Sequence, residues 1–194
     1  MEKRTTGNSG RPGSQGSRSN EPQQKATKRP RKMTEYGRQL QEKQKVKWAY
    51  GMREKQFERF FDMAVRSQKA TGEELLCLLE RRLDNVVYRL KLAATRTQAR
   101  QIIVHGHIYV NGKKVHSPSY LVVLNDAVTV APRALEKAAL VSQIFDKSLK
   151  SSGKVPEWLE SDKKGRAGKV LRLPVRSDIL MEVSENSIVE FYSK

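Results

Sequence analysis

An α+β fold is predicted, with a helical half followed by a half in which a helix pair and a tight hairpin lead into a small antiparallel sheet. Three observations predict it. Apolar residues recur at helical spacing through much of the stretch from residue 57 to residue 103, the signature of packed amphipathic helices. Asn111-Gly112 divides a short apolar run from a basic one, and this dipeptide is the strongest short hairpin signal because a type I′ turn needs φ > 0 at both central positions. Beyond it, short β-branched runs are cut by polar turn residues, which is how strands read.

Charge bounds the function. The chain has 194 residues, with 38 Lys and Arg against 21 Asp and Glu, a formal net charge of +17 and a pI near 10.1. Such a surface attracts polyanions. A membrane partner is not expected, because no run approaches the roughly 18 apolar residues of a spanning helix. Cys77 is the only cysteine, so neither an intrachain disulfide nor a Cys-based zinc site can form within this chain. His105, His107 and His116 lack carboxylates or thiols at ligand spacing. No metal and no cofactor are expected, and nucleic acid leads as partner.

The elements follow in order. Residues 1–33 are rich in Gly, Ser, Pro, Gln and Arg, hold nine Lys or Arg against two Glu, and contain no aromatic residue. Such a segment cannot bury enough surface to fold alone; it reads as a flexible basic arm, with an organellar transit peptide as the second reading. Thr34 is a plausible N-cap for a helix running to Tyr50, and Gly51 ends it. Phe57, Phe60, Phe61, Ala64 and Val65 form the stripe of a second helix, with Arg53, Lys55 and Arg59 off it. A third helix is expected to begin near Gly72 and run unbroken to residue 90, since Leu75, Leu76, Leu79, Leu83, Val86, Val87 and Leu90 fall within an arc of roughly 120° at ~100° per residue. Cys77 points away from that stripe, and Arg82 and Arg89 share a flanking face with Asn85 beside them.

Thr95-Arg-Thr-Gln98 fits a capping box, which starts a short helix with Ala99, Ile102 and Ile103 buried and Gly106 at its end. In the hairpin that follows, Ile108 and Val115 face the core while His107, Tyr109, Lys114 and His116 face outward. Strands are expected over residues 120–124 and 127–130, a helix over 133–149, a helical turn at Pro156 to Leu159, a loop at Gly165 to Gly168, and short strands toward the C-terminus. The expected division is a basic arm at 1–33, a helical domain at 34–82 completed by part of 150–178, a module with a small sheet at 83–149, and strands at 179–194 closing the fold.

Within this frame Arg82, Arg89, Arg96, Arg100, Lys113 and Lys114 converge on one surface. Arginine suits phosphate because its planar fork donates two parallel hydrogen bonds. Thr95, Gln98 and Asn111 can bond phosphate oxygens or 2′-hydroxyls, and His107 faces the same way, so shaped RNA is favoured over a linear code. Any one cation here could simply solvate a helix face; the set, the basic arm and the net charge together favour binding. Because these arginines are placed off the buried stripes, replacing each with alanine is expected to change stability by under about 0.5 kcal/mol.

The runs EYGRQLQEKQKVKWAYGMREKQF, LLERRLDNVVYRL, ARQIIVHGHIYVNGKKVHSPSYLV, VPEWLE, KVLRLP and IVEFYSK occur in order across roughly residues 34–194. They resemble the S-four family of bacterial-type small-subunit ribosomal proteins. The resemblance implies a structural ribosomal constituent that binds small-subunit ribosomal RNA directly and nucleates assembly, beside neighbouring small-subunit proteins, on a cytoplasmic or organellar ribosome. The chain looks like a zinc-free variant with an atypical N-terminal arm, in which the family's arm is unrecognisable before Lys28. Lys28, Arg29, Arg31 and Lys32 align approximately with basic residues that in the family lie near the path of incoming mRNA. The alternatives are an RNA-modifying enzyme or a stress-associated RNA-binding protein using the same module. Arg82-Leu83-Asp84 resembles the motif around a pseudouridine synthase aspartate, but no base or nucleophile surrounds it and no catalytic-sized segment remains.

Overall fold

The structure is a computed structural model and describes residues 33–136, 144, 148, 154–162 and 166–193. Helix α1, Glu35–Ala49, is capped by Thr34, whose hydroxyl accepts from Gly37 N at 3.2 Å. It ends where Gly51 takes φ +58°. Helix α2, Glu54–Val65, buries Phe57, Phe60, Phe61 and Ala64, the expected stripe except for the exposed Val65. Helix α3, Thr71–Glu80, adds Leu75, Leu76 and Leu79 to the same core.

The expected third helix is in fact two. Helix α4 spans Leu83–Arg89, and at the junction Arg82 is extended, with φ −63° and ψ 137°. The loop after the hairpin forces the break. Leu83 N donates to Tyr120 O at 2.8 Å, Asp84 N to Pro118 O at 3.1 Å, and Val122 N to Arg81 O at 3.0 Å. These bonds satisfy the backbone groups that a new helix start leaves without intrahelical partners. The break divides the apolar stripe between two cores. Leu75, Leu76 and Leu79 pack with α1 and α2, whereas Leu83, Val86, Val87 and Leu90 pack against the sheet. Cys77, expected to point away from the stripe, is buried, and burial followed by the nearby Glu74 charge pushes its thiol up to about 11. Residues 176–178 also pack on α3, so more than one of its faces is covered.

Helix α5, Arg96–Val104, starts at Thr95, whose hydroxyl accepts from Gln98 N at 3.1 Å; the Gln98 side chain reaches back to Ala94 N at 2.8 Å, one residue beyond the usual target. Strands β1, Ile108–Val110, and β2, Lys113–Lys114, form the hairpin with Val110 opposite Lys113. Asn111 and Gly112 have φ +52° and +75°, as a type I′ turn demands. Strand β3, Ala127–Val130, lies on the other side of β1. Of the strand expected over 120–124, only the bridge from Leu121 to Arg82 exists. Helix α6, Pro132–Leu135, opens the helix expected over 133–149, most of which lies outside the described residues.

Beyond α6, the next described strands extend the sheet, while residues 176–178 contact α3. Pro156 to Leu159 is a turn, not a helical one, closed by Leu159 N to Pro156 O at 3.0 Å, and it leads into β4, Leu159–Asp162. Ala167 and Gly168, expected in a loop, open β5, Ala167–Val170. The antiparallel order is β2-β1-β3-β5-β4. Trp158, fully buried, anchors this part to the sheet core. The C-terminal segment is helix α7, Glu185–Tyr192, where strands were expected. Ser184, Glu185 and Asn186 start a helix as readily as a turn, and Ile188 and Tyr192, four apart, share a face that seals the helical core. The Tyr192 ring lies 4.4 Å from that of Phe61. Among the described residues, no helix is long and apolar enough to cross a membrane.

The hairpin offers a direct test of its local geometry. Among the described residues an added Cβ at Gly112 would meet nothing within 4 Å, so the left-handed backbone is what resists substitution. Gly112→Val is expected to cost about 1–2 kcal/mol, or somewhat more for β-branching. Urea denaturation measures it; an unchanged midpoint would show that the turn tolerates other backbone geometries.

Candidate nucleic-acid interface

The four arginines expected to face RNA lie instead around the α3–α4 break. Arg82 is 1% exposed and forks onto Asp84, at 3.1 Å from Nε and 2.7 Å from Nη2. Its guanidinium sits 5.2 Å from the Phe60 ring centre, and its Nη1 is buried without a hydrogen-bond partner among the described residues. Arg82 therefore cannot reach a ligand in this conformation, contrary to the sequence expectation. Asp84 also accepts from Arg100 Nε at 2.7 Å. The Arg100 Nη atoms donate to Gly51 O at 2.6 Å and to Tyr50 O, tying α5 to the end of α1.

A second carboxylate completes the cluster. Glu80, 1% exposed, accepts from Tyr50 Oη at 2.7 Å, from Asn85 Nδ2 at 2.7 Å, and from Arg89 at 3.1 and 2.7 Å. Burial, then the Glu80 charge and hydrogen bond, hold the Tyr50 phenol well above its usual pKa, so it stays a neutral donor. Burial works against the Arg89 charge, but the Glu80 hydrogen bond and charge outweigh it and raise its pKa. Arg96 bonds Asn85 Oδ1 at 2.9 Å and lies between the rings of Tyr50 and Tyr88, at 4.9 and 4.8 Å. Four arginines face two carboxylates, which leaves two formal positive charges in excess. Arg89 and Arg100 keep about a quarter of their side chains exposed, at 23% and 27%. These two and the half-buried Arg96 can present charge outward while holding the fold.

The remaining expected contacts also serve the fold first. Thr95 and Gln98 cap α5. Asn111 donates to Asp126 at 2.7 Å and accepts from Ala127 N at 2.9 Å, which clamps the hairpin tip to the start of β3. Lys113 and Lys114 are exposed on β2, and His107 is half-buried beside them. Lys28, Arg29, Arg31 and Lys32 lie outside the described residues. Among the described residues no group of three or more His, Cys, Asp or Glu could hold a metal ion.

Three residues outside the expected RNA-binding set lie on this side. His105, Tyr109 and Arg133 join His107 and Lys114 around a concavity of about 520 Å³ between the end of α5, the hairpin and α6. His105 and Arg133 are exposed; Tyr109 is half-buried and packs partly on the sheet core. Arg133 is distant in sequence from the helix pair, so only the path of β3 brings it near. The outward register of Tyr109, legible from the hairpin, was the available signal.

Comparison with known proteins adds family information to this geometry. Residues 3–80 match the "Ribosomal protein S4/S9 N-terminal domain" and residues 81–128 match the "S4 domain". The two matches meet at the α3–α4 break. The first begins near the N-terminus, so family pattern extends through the arm in which none was recognised before Lys28; a basic, Gly-rich segment without apolar anchors offers no periodicity to read. The chain is 50% identical over 167 residues to the "Small ribosomal subunit protein uS4" of Halothermothrix orenii, covering 86% of this chain and 79% of that protein. It is also 50% identical over 169 residues to the same-named protein of Aquifex aeolicus, covering 86% and 79%. A "uS4A" from Alkaliphilus metalliredigens is 50% identical over 175 residues, covering 89% and 81%.

Proposed function

This chain belongs to the uS4 family of small ribosomal subunit proteins, and from that premise we propose that it binds small-subunit ribosomal RNA through α5, the β1–β2 hairpin and the α6 side of the sheet. The carrying observation is that Lys113, Lys114, His105 and Arg133 are exposed together on and beside the segment matched by the S4 domain. Membership in a ribosomal-protein family closes the enzyme alternative. Its partners are small-subunit RNA and neighbouring small-subunit proteins, and it acts in the ribosome.

Within this reading the arginines around Glu80 and Asp84 form the rigid base, and the hairpin lysines with Arg133 make the contacts that order phosphates. Arg89, Arg96 and Arg100 add long-range charge and graze the backbone of the RNA. Thr95, Gln98 and Asn111 stiffen the contact surface, each keeping polar capacity for a ribose or phosphate. We assign Lys28, Arg29, Arg31 and Lys32 a path-lining role for incoming mRNA, on their charge and on the family resemblance, in which they align approximately with basic residues near that path. Early binding that nucleates assembly fits a surface held rigid before RNA arrives.

Sucrose-gradient fractionation of cells expressing the tagged chain tests the assignment. Sedimentation with small subunits and their precursors is expected. Sedimentation with free large subunits instead would overturn it. Lys113→Ala with Lys114→Ala should reduce incorporation while lowering the thermal midpoint only slightly, since both side chains are exposed on the edge strand.

A further inference from the structure

We propose that the concavity beside the hairpin receives one unpaired nucleotide, its base laid against Tyr109 and His107 and its phosphate met by Lys114 and Arg133. The inference rests on the reading that this chain binds small-subunit RNA, and it adds the chemical class of what enters this place. The walls are of two kinds. His105 and His107 present rings with centres 6.1 Å apart and tilted by 32°, and Tyr109 lines the same hollow. Lys114 and Arg133 supply the positive charge. Aromatic rings flanked by cations recognise an unstacked base with its phosphate, whereas a duplex backbone needs cations alone. The volume of about 520 Å³ lies within the ~300–1,000 Å³ of small-ligand sites, enough for a nucleotide and too small for paired strands.

Gly106 makes the arrangement possible. It has φ +71°, and an added Cβ would lie 2.1 Å from Lys114 Cε and 2.7 Å from His116 Cε1. Without a Cβ, the lysine stem lies across the C-terminal end of α5. There its charge also complements the negative end of the helix. The β3–α6 connection holds the opposite wall, because Ala131 N donates to His107 O at 2.9 Å just before Arg133.

Two measurements on the full chain bound to transcribed small-subunit ribosomal RNA test this. Ultraviolet irradiation followed by peptide mass spectrometry is expected to find a nucleotide adduct on His107 or Tyr109. Adducts confined to other peptides would overturn the proposal. In filter binding, Tyr109→Leu is expected to weaken affinity about tenfold while Tyr109→Phe stays near the parent. Equal affinity for both, with loss only on Lys114→Ala and Arg133→Ala, would show a phosphate contact and no base, and would also overturn it. Tyr109 packs partly on the core, so thermal midpoints are recorded for both variants; if Tyr109→Leu unfolds, the adduct map of the unaltered chain decides. Failure of the parent chain to bind this RNA at all would instead remove the underlying reading.

Discussion

Asp84→Ala is expected to cost about 3–5 kcal/mol of folding stability, the typical penalty for leaving a buried charge without its partner. The variant strands Arg82, which is 1% exposed and already has one nitrogen without an acceptor among the described residues. It also releases Arg100 from the bond that orients it toward the end of α1. Arg82→Ala should be severe for the same reason in reverse, softened because Arg100 still pairs with Asp84. This replaces the expectation of under about 0.5 kcal/mol, which holds for surface substitutions. The double variant Arg82→Leu, Asp84→Leu should recover part of the loss, because apolar groups of similar volume often substitute for a buried pair without net cost. Urea denaturation of the three proteins decides. If Asp84→Ala stays within about 0.5 kcal/mol of the parent, the cluster does not hold the two cores together.

Affinity for small-subunit RNA is expected to fall between one hundredfold and a few hundredfold as salt rises from roughly 50 to 200 mM, given about five phosphate contacts that each release roughly 0.7 to 0.9 of a counterion. The +17 net charge and the exposed lysines of β2 motivate the number of contacts. Lys113→Ala with Lys114→Ala should lower the slope of log affinity against log salt by about 1.5. Filter-binding titrations at four salt concentrations measure both. A flat dependence contradicts electrostatic recognition. An unchanged slope in the double variant places the contacts elsewhere on the chain.

Particular residues show how far local reading carries. The Asn111-Gly112 turn, the Thr95 cap and the stripe of α2 depend on neighbours within a few positions, and each forms as expected save for the exposed Val65. The expected continuous helix through residue 82 fails because carbonyls from Pro118 and Tyr120, more than thirty residues away, capture the N–H groups of Asp84 and Leu83. One clue to the cluster did lie in plain sight. Glu80 and Asp84 are carboxylates set among the stripe residues Leu79, Leu83 and Val86, and buried carboxylates demand cations. The arginines beside them pair with these acids.

By itself, the order of residues determined the α+β class, the polyanion partner and the hairpin, since composition and short-range periodicity settle those directly. Tertiary structure alone decided where the chain passes from one core to the other, which arginines are tied inside, and which aromatic and basic side chains share the hollow beside the hairpin. The physical reason is range. Arg100 meets Gly51 across 49 positions, and Gln39 meets Glu190 across 151. A pairing of that kind depends on which faces the folded cores bring together, and no local pattern encodes it.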